Sequence, residues 1–183
     1  MKYNLTEGQL NSPAESEILD GLSILPKSYI DFLKEHNGGE GFIGDNYIIF
    51  WKAEELVDFN REYEVETYAP GIFLFASSGG GDGYGFDTDD AAMPIVRIPF
   101  IGMDRQYIET VARDLPGLIL LGWRAEMNKQ VRPKGMELFE ITPVILGGDP
   151  TCPENKTWLT RQQHFEAVRY WNRVISNMRK EQR

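Results

Sequence analysis

The chain has 183 residues, a net charge of −9 at pH 7 and 42% hydrophobic residues, which suits one folded domain with an appendage. Its single cysteine excludes an internal disulfide framework, and no apolar run is long enough for a membrane helix. The first ten residues lack a basic segment followed by an apolar stretch, so we expect no signal peptide and a cytoplasmic protein.

The first two thirds of the chain alternate short helices and strands. Residues 1–13 are polar and are predicted to form a flexible arm. Helical spacing of apolar residues predicts helices at 13–22, 26–36, 53–63 and 114–121, the last of which is nearly as compatible with a strand. Apolar, β-rich segments predict strands at 47–51, 72–76, 84–87 and 94–100.

The last third is more irregular until its final helix. Residues 123–137 are basic and predict a linker, and residues 140–146 look extended but contain Pro143, which indicates an edge or crossing strand. Thr160 and Gln163 form a capping box that begins the last helix. That helix is predicted to pack on the body through Phe165, Val168, Trp171, Ile175 and Met178.

The clearest local unit extends from Leu25 to Gly39. Pro26 suits the first turn of a helix, where its missing N–H costs nothing, and Asn37-Gly38-Gly39 supplies the left-handed backbone that ends it. Aromatic and aliphatic residues between them form an inward stripe. The residues of this motif are Leu25, Pro26, Tyr29, Phe32, Asn37, Gly38 and Gly39.

This unit resembles the start of domains of the SUKH superfamily, the family of the fungal cell-wall assembly regulator and many bacterial toxin-immunity proteins. The resemblance continues through the 48–60 segment, Pro70 to Ala76 and the Gly79-Gly80-Gly81-Asp82 loop. It implies a single α+β domain, with a mixed or mostly antiparallel sheet flanked by helices and a C-terminal helix packed on the body. We therefore divide the chain into a flexible N-terminal arm (1–13), a SUKH-like domain (14–122) and a C-terminal extension with a strand and a long helix (123–183).

Residues suited to catalysis are scarce. His36, His164 and Cys152 are the only histidines and cysteine, and they are too few for an ordinary zinc site. A Cys-His dyad is conceivable, but Cys152 lies in a turn without a flanking signature. The loop from Gly79 to Asp90 has carboxylates where a phosphate loop has a lysine, and its spacing fits a calcium loop poorly. We predict no catalytic residue, no metal and no cofactor.

The acidic residues are concentrated in the middle of the chain. Residues 41–95 contain eleven acidic and two basic residues, whereas residues 96–183 contain ten acidic and fourteen basic residues. This distribution disfavours binding to nucleic acid and favours a basic protein partner. The alternative is a solvated acidic surface that only keeps the protein soluble.

The resemblance implies a function in protein binding without an active site. Such domains bind and neutralise a cognate toxin, often a nuclease, or act as interaction modules. Two other hypotheses stay open, a general regulatory scaffold of the same fold and a small carboxylate-based hydrolase. The residues predicted to contact a partner are Glu54, Glu55, Asp58, Asp82, Tyr84, Asp87, Asp89 and Asp90.

Overall fold

The body of the protein is a sheet in which each strand pairs with the next one along the chain. A computed structural model describes residues 9–43, 46–120 and 133–181. Within these ranges seven strands form one sheet in chain order, and every neighbouring pair is antiparallel. They are β1 (Gln9–Leu10), β2 (Gly39–Ile43), β3 (Asn46–Phe50), β4 (Ile72–Ser77), β5 (Asp82–Asp87), β6 (Ile95–Pro99) and β7 (Glu109–Ala112).

Five short helices connect or flank these strands, which confirms the predicted α+β class. They are α1 (Ser16–Asp20), α2 (Lys27–Glu35), α3 (Leu56–Glu62), α4 (Val65–Tyr68) and α5 (Leu115–Leu120). The aromatic stripe of α2 faces the sheet, where the Tyr29 ring lies 5.1 Å from that of Phe75 and the Phe32 ring 5.0 Å from that of Phe50. None of the helices in the described part is long and apolar enough to cross a bilayer.

Asn37 connects three parts of the body at the end of α2. Its side chain accepts a hydrogen bond from the Ala53 backbone N–H at 2.7 Å and donates to the Glu54 carboxylate at 2.8 Å. Its backbone carbonyl accepts from Asn11 at 2.7 Å. Of the predicted N-terminal arm the structure describes residues 9–13, which backbone hydrogen bonds anchor to β2 and to the end of α2, while residues 1–8 lie outside the described ranges.

The C-terminal extension forms a second, two-stranded sheet and a long helix. The strands are β8 (Met136–Glu140) and β9 (Lys156–Thr160), and the helix is α6 (Arg161–Glu181). The predicted capping box is present, since the Gln163 side chain accepts from the Thr160 backbone N–H at 3.0 Å and the Thr160 hydroxyl accepts from the Gln163 N–H at 3.3 Å. The helix packs on the body as predicted, with Phe165, Val168 and Ile175 buried.

The predicted inward positions of α6 are partly wrong. Trp171 is only half-buried, with its ring 5.2 Å from that of Tyr170, and Met178 is 42% exposed. The inward position is instead taken by Asn172, whose side chain accepts from the Gly102 N–H at 2.6 Å and donates to the Phe100 carbonyl at 2.9 Å. An amide satisfies two buried backbone groups there, which an indole could not do.

The strand predicted at 140–146 is also wrong. The strand comes earlier, as β8, and Val144–Leu146 forms a 3-10 turn. Pro143 has no backbone N–H to contribute to a ladder, so the chain leaves the sheet before it. Residues 123–132 of the predicted linker lie outside the described ranges, and its last residues belong to β8.

Candidate partner-binding cleft

A cleft of about 590 Å³ lies between one end of the main sheet and the C-terminal extension. The start of β5 pairs with the end of β6, and the end of β6 pairs with the start of β7, so these strand ends form one wall. The other wall is formed by β8, the turn after it and Lys156 of β9. The two walls are joined by a backbone hydrogen bond from Leu138 to the Gly79 carbonyl at 2.9 Å. The volume is within the usual range of ligand-binding clefts.

The charged residues of the cleft are mainly acidic. Asp82 and Glu109 lie on the sheet wall and Glu140 on the extension, with Arg97 and Lys156 among them. The Arg97 guanidinium donates to the Glu109 carboxylate at 2.6 Å, and this bond is the main cause that raises the pKa of Arg97. Burial, together with the charges of Glu109 and Glu140, raises the pKa of Asp82 above its usual range against the opposing charge of Arg97.

Large apolar side chains stand exposed around the same cleft. Tyr107 is 45% exposed, Val144 50% and Ile145 47%, and all three line it. Ile141, on the turn that follows β8, is 50% exposed as well. Exposed apolar groups that gather around a concave, charged surface are typical of interaction sites.

The acidic residues predicted from the 79–90 segment do not form one surface. Asp82 begins β5 in the cleft, whereas Asp87 ends that strand, roughly 17 Å away at the usual rise per residue. Asp87 is 8% exposed and Tyr84 only 3%, so both are corrected from contact residues to core residues. The Arg105 guanidinium lies 2.9 Å from the Asp87 carboxylate and 3.2 Å from that of Asp89.

The remaining predicted contact residues are exposed or half-buried and make local contacts. Glu54 accepts from Asn37, Glu55 accepts from the Lys52 backbone N–H at 3.0 Å, and Asp58 pairs with Arg61 at 2.7 Å. Asp90 accepts from the Ala92 backbone N–H at 2.8 Å. These acids surround α3 and the β5–β6 turn and lie outside the cleft.

The three residues considered for a Cys-His dyad have separate surroundings. The Cys152 thiol donates to the Glu154 carboxylate at 3.1 Å, and the His36 ring lies 5.9 Å from that of Phe32. His164 is buried, with Nδ1 2.9 Å from the Tyr63 hydroxyl. In the described part of the chain Cys152 makes no hydrogen bond to either histidine, and no group of three or more His, Cys, Asp or Glu is placed to hold a metal ion.

A buried ion pair, which the sequence did not predict, fastens the extension to the body. Glu137 of β8 lies 2.7 Å from the Arg161 guanidinium of α6, and the Ser77 hydroxyl of β4 donates to it at 3.3 Å. The same guanidinium lies over the rings of Trp51 and Phe59, at 5.8 and 5.2 Å from their centroids. Because these residues come from the body and from the extension, they fix the position of the extension, which forms one wall of the cleft.

His164 predicts a specific pH dependence of stability. Burial, and then the charge of Arg161, lowers the pKa of His164 to about 3. In the unfolded chain this histidine takes up a proton below about pH 6.5, whereas in the folded protein it stays neutral. Its contribution to stability is therefore complete above about pH 6.5 and declines as the pH falls, by about 1.4 kcal/mol per pH unit.

The measurement is urea unfolding at several pH values between 7 and 4. His164→Gln keeps a hydrogen-bonding group beside Tyr63 but does not titrate, so its free energy of unfolding should fall less steeply on acidification than that of the wild type. The carboxylates titrate alike in both proteins, so the difference between the two slopes isolates His164. Parallel slopes would contradict the prediction.

Comparison with known proteins identifies the domain that carries the sheet. A model of the SMI1 / KNR4 family (SUKH-1) matches residues 17–119. No curated protein matches the chain significantly. The match includes the sheet wall of the cleft, with Asp82, Arg97 and Glu109, and ends before the extension that forms the other wall.

Proposed function

Because the chain belongs to the SMI1 / KNR4 (SUKH-1) family, we propose that it is a non-enzymatic protein-binding module, an immunity protein that binds and neutralises a cognate toxin in the cytoplasm. The observation that carries the proposal is the cleft, where exposed apolar side chains surround acidic groups. An apolar centre with charged groups beside it is how protein interfaces combine affinity with specificity.

The charge distribution supports a basic toxin, such as a nuclease, as the partner. The 41–95 segment has a local net charge of −9, from eleven acidic and two basic residues. An acidic field accelerates the approach of a basic protein, and rapid capture is what an immunity protein requires. The same field repels a phosphate backbone, which makes the toxin a better candidate for the ligand than the nucleic acid it would cut.

A carboxylate-based hydrolase is the second candidate, because Asp82 has a raised pKa and lies in a cleft with Glu109 and Glu140. Perturbed carboxylates in a cleft are a feature of catalytic sites. Two observations favour binding instead. Glu109 is held by Arg97, and the cleft is bordered by exposed apolar groups. A regulatory scaffold of the same fold would differ from an immunity protein by having several weak partners rather than one tight one.

The proposed function is tested by co-expression with a candidate toxin, the first choice being any that is encoded beside the gene. Host cells that produce the toxin alone should stop growing, and cells that also produce this protein should grow. The variants Cys152→Ser and His36→Ala should protect equally well, because the proposal gives neither residue a chemical role. Unprotected cells that contain both intact proteins would contradict the proposal, and so would protection lost in a folded Cys152 or His36 variant.

The acidic surface predicts that association with the toxin depends on salt. Changing three exposed acids of the middle segment, Asp58, Glu66 and Asp90, to Lys should slow association about tenfold at low ionic strength. The difference from wild type should shrink as salt rises. Stopped-flow or surface-based kinetics across a salt series gives both quantities.

A matched control variant has the same net charge but changes three acids outside the middle segment. Glu15, Glu17 and Glu181 are also exposed and lie outside the middle segment, so their replacement by Lys should slow association much less. Exposed charges contribute little to stability, so both triple variants should keep the melting temperature of the wild type. Equal rates for the two triple variants would show that only total charge matters and would remove the acidic segment as a docking surface.

A further inference from the structure

Asp82 is a carboxylate of the cleft that no positively charged side chain of the described residues contacts directly. Its backbone N–H donates to the Ser78 hydroxyl at 3.1 Å, which fixes its position at the start of β5. Its carboxylate makes no hydrogen bond or ion pair with another residue of the described ranges. Arg97, whose charge acts on Asp82, donates its hydrogen bond to Glu109 instead.

The surroundings of Asp82 make contact with a positively charged group more favourable. It is half-buried, and burial raises its pKa against the opposing charge of Arg97, with the charges of Glu109 and Glu140 acting in the same direction as burial. A carboxylate that is partly removed from water is stabilised by a charge-assisted hydrogen bond, which a positively charged side chain provides best.

The apolar border of the cleft favours a ligand that also carries an apolar side chain. Val144 and Ile145 belong to the 3-10 turn after β8, and about half of each side chain is in contact with water. Covering them with another apolar side chain removes that surface from water, which is favourable. A purely apolar ligand would bury Asp82 without a partner, and an anionic one would be repelled by it.

We infer that the cleft binds an extended segment of the toxin, and this inference rests on the function proposed above for the identity of the partner. The segment presents a positively charged side chain to Asp82 and an apolar side chain to Val144 and Ile145. The acidic middle segment attracts the toxin from a distance, and the cleft holds it. The two walls have different roles, since the sheet supplies the carboxylate and the extension supplies the apolar contact.

A blocked dipeptide tests the chemistry of the cleft without the toxin. Acetyl-leucyl-arginine amide should shift the backbone NMR resonances of residues around Asp82 and Val144, with weak, millimolar affinity. The matched probe is acetyl-leucyl-citrulline amide, which has nearly the same shape but no charge. Its binding should be about tenfold weaker, the loss that corresponds to one charge-assisted hydrogen bond.

Variants locate the binding on the protein. Asp82→Asn should lower the affinity for the arginine probe about tenfold and remove its preference over citrulline. Asp20→Asn, the same change at an exposed acid at the end of α1, should leave both the affinity and the preference unchanged. Val144→Ser should weaken both probes alike. Equal binding of the two probes to the wild type, or an arginine preference that survives Asp82→Asn, would overturn the inference.

The toxin itself gives the second readout. Asp82→Asn should speed dissociation of the complex about tenfold or more with little change in the association rate, whereas Asp20→Asn should not affect dissociation. If the wild type neutralises the toxin and Asp82→Asn dissociates at the same rate, the toxin binds elsewhere and the inference fails while the proposed function stands. If the wild type neutralises no toxin, the proposed function fails, and the dipeptide experiment decides the chemistry of the cleft alone.

Discussion

Glu137→Ala is expected to lower the free energy of unfolding by about 3–5 kcal/mol, because it removes one partner of a buried ion pair. Glu137 is fully buried, and the guanidinium that it holds lies at the contact between β8, α6 and the end of β4. One nitrogen of that guanidinium is already buried without a hydrogen-bond partner in the described residues. Without the carboxylate, Arg161, whose side chain is 23% exposed, would be a mostly buried and uncompensated charge. Urea unfolding followed by tryptophan fluorescence measures the loss.

Two control variants separate the effect of the unpaired charge from the effect of changing a residue of β8. Glu140→Ala, on the same strand but in the cleft, removes a carboxylate that is half-buried and should cost much less. The double variant Glu137→Leu with Arg161→Met removes both charges and should recover most of the stability, since apolar pairs of similar size often replace buried ion pairs at little cost. A double variant as unstable as Glu137→Ala would show that packing, and not the unpaired charge, causes the loss.

Gly38→Ala is expected to cost about 2–5 kcal/mol, from two separate penalties. Gly38 has a φ of +75°, where a residue with a Cβ is disfavoured by about 1–2 kcal/mol. The new Cβ would lie 2.7 Å from the Phe50 carbonyl oxygen and 2.9 Å from that of Trp51. Backbone at both positions cannot rotate away, so relieving the overlap costs about 1–3 kcal/mol more. Thermal and urea unfolding measure the total loss of stability from both penalties.

Gly135 offers a matched control for the backbone penalty alone. It has the same φ of +75°, but a Cβ built on it meets no heavy atom of the described residues within 4 Å. Gly135→Ala should therefore cost only about 1–2 kcal/mol, the penalty of the left-handed backbone. The difference between the two variants measures the close approach of the α2 end to β3. If both variants lose the same stability, the close approach has no energetic role.

Features whose signal is local could be predicted from the sequence. The stripe of α2 repeats with the helical period, and Gly38 and the proline before the helix act through their own backbone geometry. The strand β2 was not predicted, because its segment Gly-Glu-Gly-Phe-Ile has two glycines and a weak intrinsic preference for strands. It forms because β1 and β3 pair with it on both sides, which is a property of the tertiary structure.

The cleft could be predicted only in part. Asp82 was identified, but as a member of a loop with Asp87, and the strand between them has five consecutive buried residues. Such a strand shows no alternation, so Tyr84 could not be distinguished from an exposed residue by period. The second wall comes from residues far along the chain, and packing between distant segments leaves no periodic signal in a single sequence.

The chain-order pairing of the strands has a consequence for how the protein is made. Each of the seven strands pairs with its neighbour in the chain, and four of the six connections have nine residues or fewer, so most of the loops that must close are short and their entropic cost is small. The sheet can therefore assemble progressively while the polypeptide is still being synthesised. The Glu137–Arg161 contact closes later, because Arg161 lies at the start of the last helix. A nascent chain would thus acquire a folded body before it can hold a partner, and binding competence would begin only once the final helix has docked.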